Sequence, residues 1–445
     1  MQRTPVVSQH TVDLRCKRGI APQVSQPRSR KVIEFPKRGK SEASGLQMTG
    51  ARRDELRPEI QLVLCCARTR LSAAYIDRIR LLVRPDLNWA AVLAAAERMG
   101  LTPLVFEHLR KFETRVPPLW LERMEKAFRT NATRSLYLAS ELLRVLEIFE
   151  SRRIPAIPYK GPVLAAQAYG DLAYRQFHDI DIIVPQRRMA EAHAALTSSG
   201  YRARFPWAHE PDMPLVRIPG EYTYRGEDSE CLLELHTEFT MRHFPVRANL
   251  DTFAQRLVNV SVGGTNVRTF CVEDNLVVLS IHGAKDFWSK LGWVVDLSEL
   301  ISTAGRVNWD LVFDTAESLN AERILLLGLS LAHDMLDTRL PVPIFERMQA
   351  DSTVGSLTEH VERKLLAARP EEWNLIQRAW FRARLVPQRF EGMKYVWRVA
   401  TQPAEDEWTA AHGSVWSAAM QSLLRPLRLI RKQPGAELPP NRDAD

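Results

Sequence analysis

The stretch Arg175–Pro185, RQFHDIDIIVP, carries two aspartates, Asp179 and Asp181, at the start of a β-branched apolar run. Side chains alternate along a strand, so both carboxylates share one face, about 7 Å apart. Burying two like charges is costly unless a cation neutralises them. Mg²⁺ takes oxygen ligands and keeps positions open for substrate phosphates, so the pattern predicts a metal-binding strand. The alternative is a strand end whose aspartates lie in solvent or cap a turn.

A phosphate-binding turn is predicted just upstream of this strand. The strand IPAIPY runs into Lys160-Gly161-Pro162 and then into the short helix VLAAQAY. Gly161 lets the backbone approach a ligand, and Pro162 suits a first helical turn. The helix N-terminus offers free N–H groups to a phosphate, and Lys160 adds a positive charge.

A third carboxylate lies downstream, in the apolar stretch CLLELHTEF. Its alternation places Leu232, Glu234 and His236 on one face of a strand. A third acid on a strand beside Asp179 and Asp181 would complete a two-metal site. The alternative for Glu234 is a half-exposed position on an edge strand, and for His236 a hydrogen-bonded core histidine.

The pattern along the chain predicts four regions. They are a basic tail over 1–50, a helical region over 51–150, an α/β core over 151–271 and a helical domain over 272–445. The tail holds ten Lys or Arg and three Asp or Glu, which gives +7 of the net charge of +8. Its composition predicts disorder, and a solvated extension is favoured over a nucleic-acid-binding arm.

Local signals within these regions predict individual elements. Asn88 is a candidate N-cap and Gly100 a stop for the helix between them. Gly263-Gly264 is the predicted turn of a hairpin.

The chain shows no sign of export or membrane insertion. No apolar segment follows the first residues, and no run approaches the length of a membrane span. The five cysteines lack metal-binding spacing, which is typical of reduced thiols. We therefore expect a cytoplasmic protein.

The order of these motifs resembles the polymerase-β-like nucleotidyltransferase superfamily. More closely, the stretches IPYKGPVLAAQAYGDLAYRQFHDIDIIVP, TSSGYRA and LLELHTEF resemble a family of uncharacterised bacterial nucleotidyltransferases. The resemblance extends through GLTPLVFEHL and VEDNLVVLSIHGAKDFWSKLGWVVDLSELI and covers roughly residues 55–435. It implies an α+β fold, with a small mixed sheet and flanking helices between N-terminal and C-terminal helical regions.

The same resemblance implies the chemistry. It makes Asp179, Asp181 and Glu234 the catalytic acids, which would bind two Mg²⁺ ions or Mn²⁺ in their place. It makes Lys160 and Gly161 the residues that would bind the triphosphate of an NTP, with ATP as the first candidate. A nucleoside monophosphate would pass to an acceptor, which is a sugar, small molecule or protein. Nucleic acid is not expected beyond contacts of the tail. The chain departs from the wider pattern at Lys160-Gly161 instead of Gly-Ser, and at Glu234 instead of Asp.

Further residues are weaker candidates. Arg175 could bind a phosphate or fix its loop. His282 and Lys285 fall on one predicted helix face with Ser289 and Trp293, as an acceptor-side wall. Inward packing of Trp288, Leu291 and Val295 explains that spacing equally well. Asp296 is expected in helix packing or in a pair with a lysine.

Two rival functions and one rival location stay open. A D-x-D glycosyltransferase needs an α/β nucleotide-binding half before the motif, but the preceding hundred residues read as helical. A degenerate fold acting as an interaction module is less consistent with three acids being present. The basic amphipathic end, SVWSAAMQSLLRPLRLIRK, is expected to pack on the helical domain; the alternative is an anionic membrane surface.

Overall fold

The computed structural model describes residues 55–204, 220–226, 231–237, 246, 253–367, 372–387, 392–394 and 397. The basic tail over 1–50 and the C-terminal amphipathic stretch over 414–432 lie outside the described residues, so both expectations stay predictions. Among the described residues, none of the helices has the length and apolar character that crossing a bilayer requires.

Helices precede and follow the sheet. In chain order they are α1 Pro58–Cys66, α2 Ala73–Leu82, α3 Trp89–Met99, α4 Thr102–Leu109, α5 Pro118–Ser151, α6 Gly161–Leu164, α7 Met189–Thr197, α8 Val272–Lys285, α9 Leu291–Thr303, α10 Trp309–Ser318, α11 Glu322–Leu336, α12 Val342–Ala350, α13 Ser352–Leu366 and α14 Leu375–Arg384. One π-turn, Ala165–Tyr169, continues α6.

The predicted signals of α3 are confirmed at both ends. The Asn88 side chain accepts a hydrogen bond from the Ala91 N–H, which satisfies one of the free donors of the first turn. Gly100 ends the helix in the left-handed region, at φ 72°, where a residue without Cβ is favoured.

Within the described ranges, seven strands form two sheets. They are β1 Ile157–Pro158, β2 Asp179–Ile183, β3 Tyr201–Ala203, β4 Glu221–Gly226, β5 Leu232–His236, β6 Val258–Val262 and β7 Thr265–Thr269. The larger sheet has the order β1-β2-β5-β4-β3, in which β2 and β5 are parallel and the other pairs antiparallel. Strands β6 and β7 form the hairpin predicted at Gly263-Gly264. The small mixed sheet between helical segments confirms the α+β class.

One face of the larger sheet is covered by helices. Ile180 and Ile182 of β2 pack with Leu142 and Phe149 of α5 and with α7 in a single apolar cluster. Because side chains alternate along the strand, this packing turns Asp179 and Asp181 to the opposite face. The core therefore fixes which side of the sheet carries the acids.

The predicted continuous helix through His282, Ser289 and Trp293 is wrong. Helix α8 ends at Lys285 and α9 begins at Leu291. Between them Phe287 and Trp288 adopt positive φ angles of 59° and 51°, a region that bulky residues rarely occupy. The backbone N–H of Trp288 donates to the Gly283 carbonyl at 2.7 Å. The Trp288 ring lies against Gly283, where an added Cβ would come within 2.6 Å of ring atoms. Burial of this indole holds the break in place.

Candidate active site

A cavity of about 340 Å³ opens on the acidic face of the sheet, against α3, α8 and α9. Its wall is rich in charge. The charged residues that line it are Lys160, Arg175, Asp179, Asp181, Glu221, Glu234, Lys285, Asp286, Lys290 and Asp296. The structure therefore brings most of the site residues predicted from the sequence into one cavity; the exceptions are Gly161, in the adjoining turn, and Ser289, which does not line it.

The strand register brings the three predicted acids onto one face. In the parallel pair of β2 and β5, Asp181 lies opposite Glu234 and Asp179 lies opposite Leu232. Asp179 lies two residues before Asp181 in the same strand, so its side chain is on the same face as the Asp181–Glu234 pair. All three side chains line the cavity, with Asp181 buried and the other two partly exposed.

Asp181 is the centre of a buried polar cluster. Lys160 forms an ion pair with Asp181 Oδ1, and His236 Nε2 donates to the same oxygen at 3.0 Å. The other neighbour of His236 Nε2 is Glu234 Oε2, at 3.5 Å. His236 is therefore hydrogen-bonded as expected, and its partners are the acids of the site.

Electrostatics separate the two aspartates. Burial would raise the pKa of Asp181, but Lys160 and the hydrogen bond from His236 hold that pKa below its ordinary value. Burial, followed by the nearby Asp181 charge, raises the pKa of Asp179 to about 6. Lys160 and Arg175 lower the pKa of Asp179, but they do not outweigh these effects.

Gly161 begins α6 directly beside β2. Its φ is +52°, and a Cβ at this position would lie 3.0 Å from the carbonyl oxygen of Asp179. Glycine is thus required here both by backbone angle and by space. The close approach fixes the turn against the acid-bearing strand.

Arg175 is buried and paired within the protein. Its Nε and Nη2 donate to the two carboxylate oxygens of Asp296 at 2.8 and 2.9 Å, and the Tyr169 hydroxyl donates to Asp296 Oδ1 at 2.7 Å. The expected lysine partner of Asp296 is therefore replaced by an arginine. Of the two roles considered for Arg175, these contacts correspond to fixing its loop.

Another part of the cavity wall belongs to β4 and α8. Lys285 Nζ lies 3.2 Å from Glu221 Oε2, and Glu221 lies opposite His236 in the sheet register. His282 packs edge-on against Trp293, with ring centroids 4.9 Å apart. Burial, followed by the charges of Lys160 and Lys285, lowers the pKa of His282 well below its ordinary value. A neutral His282 beside a tryptophan gives this wall a mixed polar and aromatic character.

Four titratable residues of the cavity, each an acid, a lysine or a histidine, were not anticipated from the sequence. Glu221 begins strand β4, Asp286 and Lys290 lie in the helix break, and His178 precedes the D-x-D pair. The stretch EYTYR did predict the strand of Glu221, but nothing local indicates that its first residue faces Lys285. His178 adjoins Asp179, which was the only available signal.

The donor set fits a divalent metal. Asp181, Glu234 and His236 each offer an atom within 4.8 Å of the others, the one such group found among the described residues. Asp179 lies outside this tight group but on the same wall. Burial lowers the pKa of His236, but its hydrogen bonds to Asp181 and Glu234 outweigh that effect and raise it. Because His236 Nε2 donates its proton to Asp181, the carboxylate oxygens, which Mg²⁺ prefers, are the ligands available.

A sequence match over the part of the chain that forms this cavity shows the family to which the protein belongs. The sequence model of the uncharacterised nucleotidyltransferase family matches residues 85–337, more than half of the chain. The chain belongs to this family. The matched range runs from α3 to the end of α11 and contains each charged residue of the cavity wall.

Two solved structures are similar to part of this nucleotidyltransferase-family chain. The solution structure of the antibiotic-resistance factor ANT(2'')-Ia has 14% identity and a TM-score of 0.28, covering 42% of this chain and 91% of that one. The crystal structure of ANT(2'')-Ia with adenylyl-2''-tobramycin has 13% identity and a TM-score of 0.26, covering 40% and 97%. No protein of curated function matches the sequence. We rest the assignment on the family match and the geometry of the sheet.

Proposed function

We propose that the protein transfers a nucleoside monophosphate from an NTP to a hydroxyl or phosphate of an acceptor, and that the reaction takes place in this cavity. ATP is the first candidate for the NTP. The observation that carries this proposal is the register of β2 and β5, with Glu234 opposite Asp181 and Asp179 on the same face. Family membership supports the reaction class. The acceptor classes are those open from the sequence: a sugar, a small molecule or a protein.

Asp179, Asp181 and Glu234 would hold Mg²⁺. When bound, the metal supplies charge neutralisation for the phosphates of the nucleotide. Lys160 and His236 keep Asp181 ionised and fix its orientation, because both contact the same carboxylate oxygen. Among the described residues, no lysine or arginine lies within ion-pair distance of the Asp179 or Glu234 carboxylate.

The proposed step is an exchange at the α-phosphorus. The acceptor oxygen forms a bond to this phosphorus, the bond to the bridging oxygen of the β-phosphate breaks, and pyrophosphate leaves. Glu234 takes the proton from the acceptor hydroxyl, since its side chain is more exposed than that of Asp181. Positioning and charge neutralisation supply most of the catalysis in reactions of this class.

Labelled nucleotides test the proposal directly. The full chain is incubated with Mg²⁺, each of four α-labelled NTPs in turn and cell extract as a source of acceptor. We expect label transfer and pyrophosphate release by the wild type, both abolished in Asp179→Asn and Glu234→Gln and by chelating the metal. Glu191→Gln is the matched control, since Glu191 is exposed and paired with Arg188 outside the cavity. Unchanged turnover in either of the two site variants would sink the assignment.

A further inference from the structure

Most of the positive charge in the cavity is already neutralised. Among the described residues, four lysines or arginines line it, and three of them form ion pairs with acids of the same wall. These pairs are Lys160 with Asp181, Arg175 with Asp296 and Lys285 with Glu221. Lys290 is the fourth, and the described part of the chain shows no ion pair for it. A polyphosphate entering this cavity therefore meets few cations that are not already paired.

Additional positive charge lies at the edge of the cavity, next to Asp179. Arg134 of α5 donates from Nη1 to His178 Nδ1 at 2.8 Å, and His178 lines the cavity together with Lys290. We call Arg134, His178 and Lys290 the cationic rim. His178 and Lys290 are exposed and Arg134 is half-buried. All three are thus accessible to a ligand.

The cationic rim joins the cavity to a groove along α5. Arg134 and His178 also line an adjoining hollow of about 520 Å³ together with Tyr137. A second hollow, of about 540 Å³, contains Arg134 and Gln176, and Gln176 lines the central cavity as well. Arg134 therefore sits where the site opens toward α5.

We propose that the cationic rim binds a phosphate group of the substrate, either the β- and γ-phosphates of the NTP or a phosphate carried by the acceptor. This inference rests on the proposed function and adds the residues that hold the second anionic part of the substrate. Arginine suits the task because its planar fork donates two parallel hydrogen bonds to phosphate oxygens.

The position and donor chemistry of His178 support the same ligand. His178 directly precedes Asp179 and lines the same cavity as the three acids, so a phosphate on the rim would lie beside them. Because Arg134 donates to Nδ1, the neutral ring carries its proton on Nε2, which is a donor for a phosphate oxygen. Guanidinium, imidazole N–H and ammonium donors thus lie along one edge of the cavity.

The test measures binding by titration calorimetry with the full chain and three probes: inorganic tripolyphosphate, Mg²⁺-ATP and AMP. Arg134→Ala and Lys290→Gln remove rim charges. Arg144→Ala is the matched control, since Arg144 lies on the same helix, is paired with Glu141 at 2.9 Å and lines neither the cavity nor either hollow. We expect each rim variant to weaken tripolyphosphate binding by about tenfold, the scale of a lost hydrogen bond to a charged group, and the control to leave it unchanged.

The probes separate the two sources of phosphate. If Mg²⁺-ATP binding weakens with tripolyphosphate while AMP binding does not change, the rim holds the nucleotide. If tripolyphosphate binding weakens but Mg²⁺-ATP binding is unchanged, the rim holds a phosphate of the acceptor. Wild-type affinity for tripolyphosphate in both rim variants, or an equal loss in Arg144→Ala, overturns the proposal. Loss of tripolyphosphate binding in the rim variants alongside full turnover by Asp179→Asn would overturn only the proposed reaction.

Discussion

Replacing Arg175 by methionine should destabilise the protein strongly, because it leaves the Asp296 carboxylate buried without its cation. The two side chains are only 9% and 2% exposed, and both carboxylate oxygens accept hydrogen bonds from the guanidinium. After the substitution Asp296 keeps only the bond from the Tyr169 hydroxyl among these three. Breaking a buried ion pair from one side costs about 3–5 kcal/mol, and we expect a loss of that size in the free energy of unfolding.

The assay is urea unfolding of the wild type, Arg175→Met, Asp296→Leu and the double variant. Removing both charges should cost less than either single substitution, since no buried charge is then left alone. Arg129→Met is the matched control, because its partner Glu125 is partly exposed and a surface pair contributes about 0–1 kcal/mol.

A different result would return Arg175 to the phosphate-binding role considered from the sequence. That result is a loss below about 1 kcal/mol in Arg175→Met, with additive single effects and a large fall in affinity for Mg²⁺-ATP. Such an outcome would refute the conclusion that the guanidinium serves Asp296 and holds its loop.

Three further outcomes follow from individual positions. Gly283→Ala should lower the free energy of unfolding by about 1–3 kcal/mol, because the added Cβ would lie 2.6 Å from an indole ring. Gly355→Ala has open space around the added Cβ and should stabilise its helix by about 0.5–1 kcal/mol. Urea unfolding of the two variants compares these effects. Gly161→Ala should lower stability more than Gly200→Ala in the same assay, because both have positive φ but only Gly161 faces a backbone carbonyl oxygen at 3.0 Å. Burial lowers the pKa of His108 below its ordinary value of 6.5, so the neutral side chain makes its full contribution to the stability of the fold above pH 6.5. Below that pH the unfolded state alone gains the proton, and stability should fall by up to about 1.4 kcal/mol per pH unit, less steeply in His108→Gln when melting is followed from pH 7.5 to 5.5.

The sequence by itself determined the elements around the site and the face on which the aspartates lie. Alternation within DIDII places Asp179 and Asp181 together and the isoleucines opposite, because this pattern depends only on neighbouring residues. The cap at Asn88 and the hairpin at Gly263-Gly264 were likewise predictable, since each depends on the local backbone. These local signals also supported the α+β class.

Only the tertiary structure decided which charges meet. Glu234 lies opposite Asp181 because of the parallel register of β2 and β5, and a slip by one residue would turn its side chain to the other face. Arg175 and Asp296 are 121 residues apart, and nothing near either one indicates the pair. Their contact depends on packing between distant elements. The neutralisation of the predicted phosphate-binding cations, and with it the importance of the cationic rim, could therefore be seen only in the folded chain.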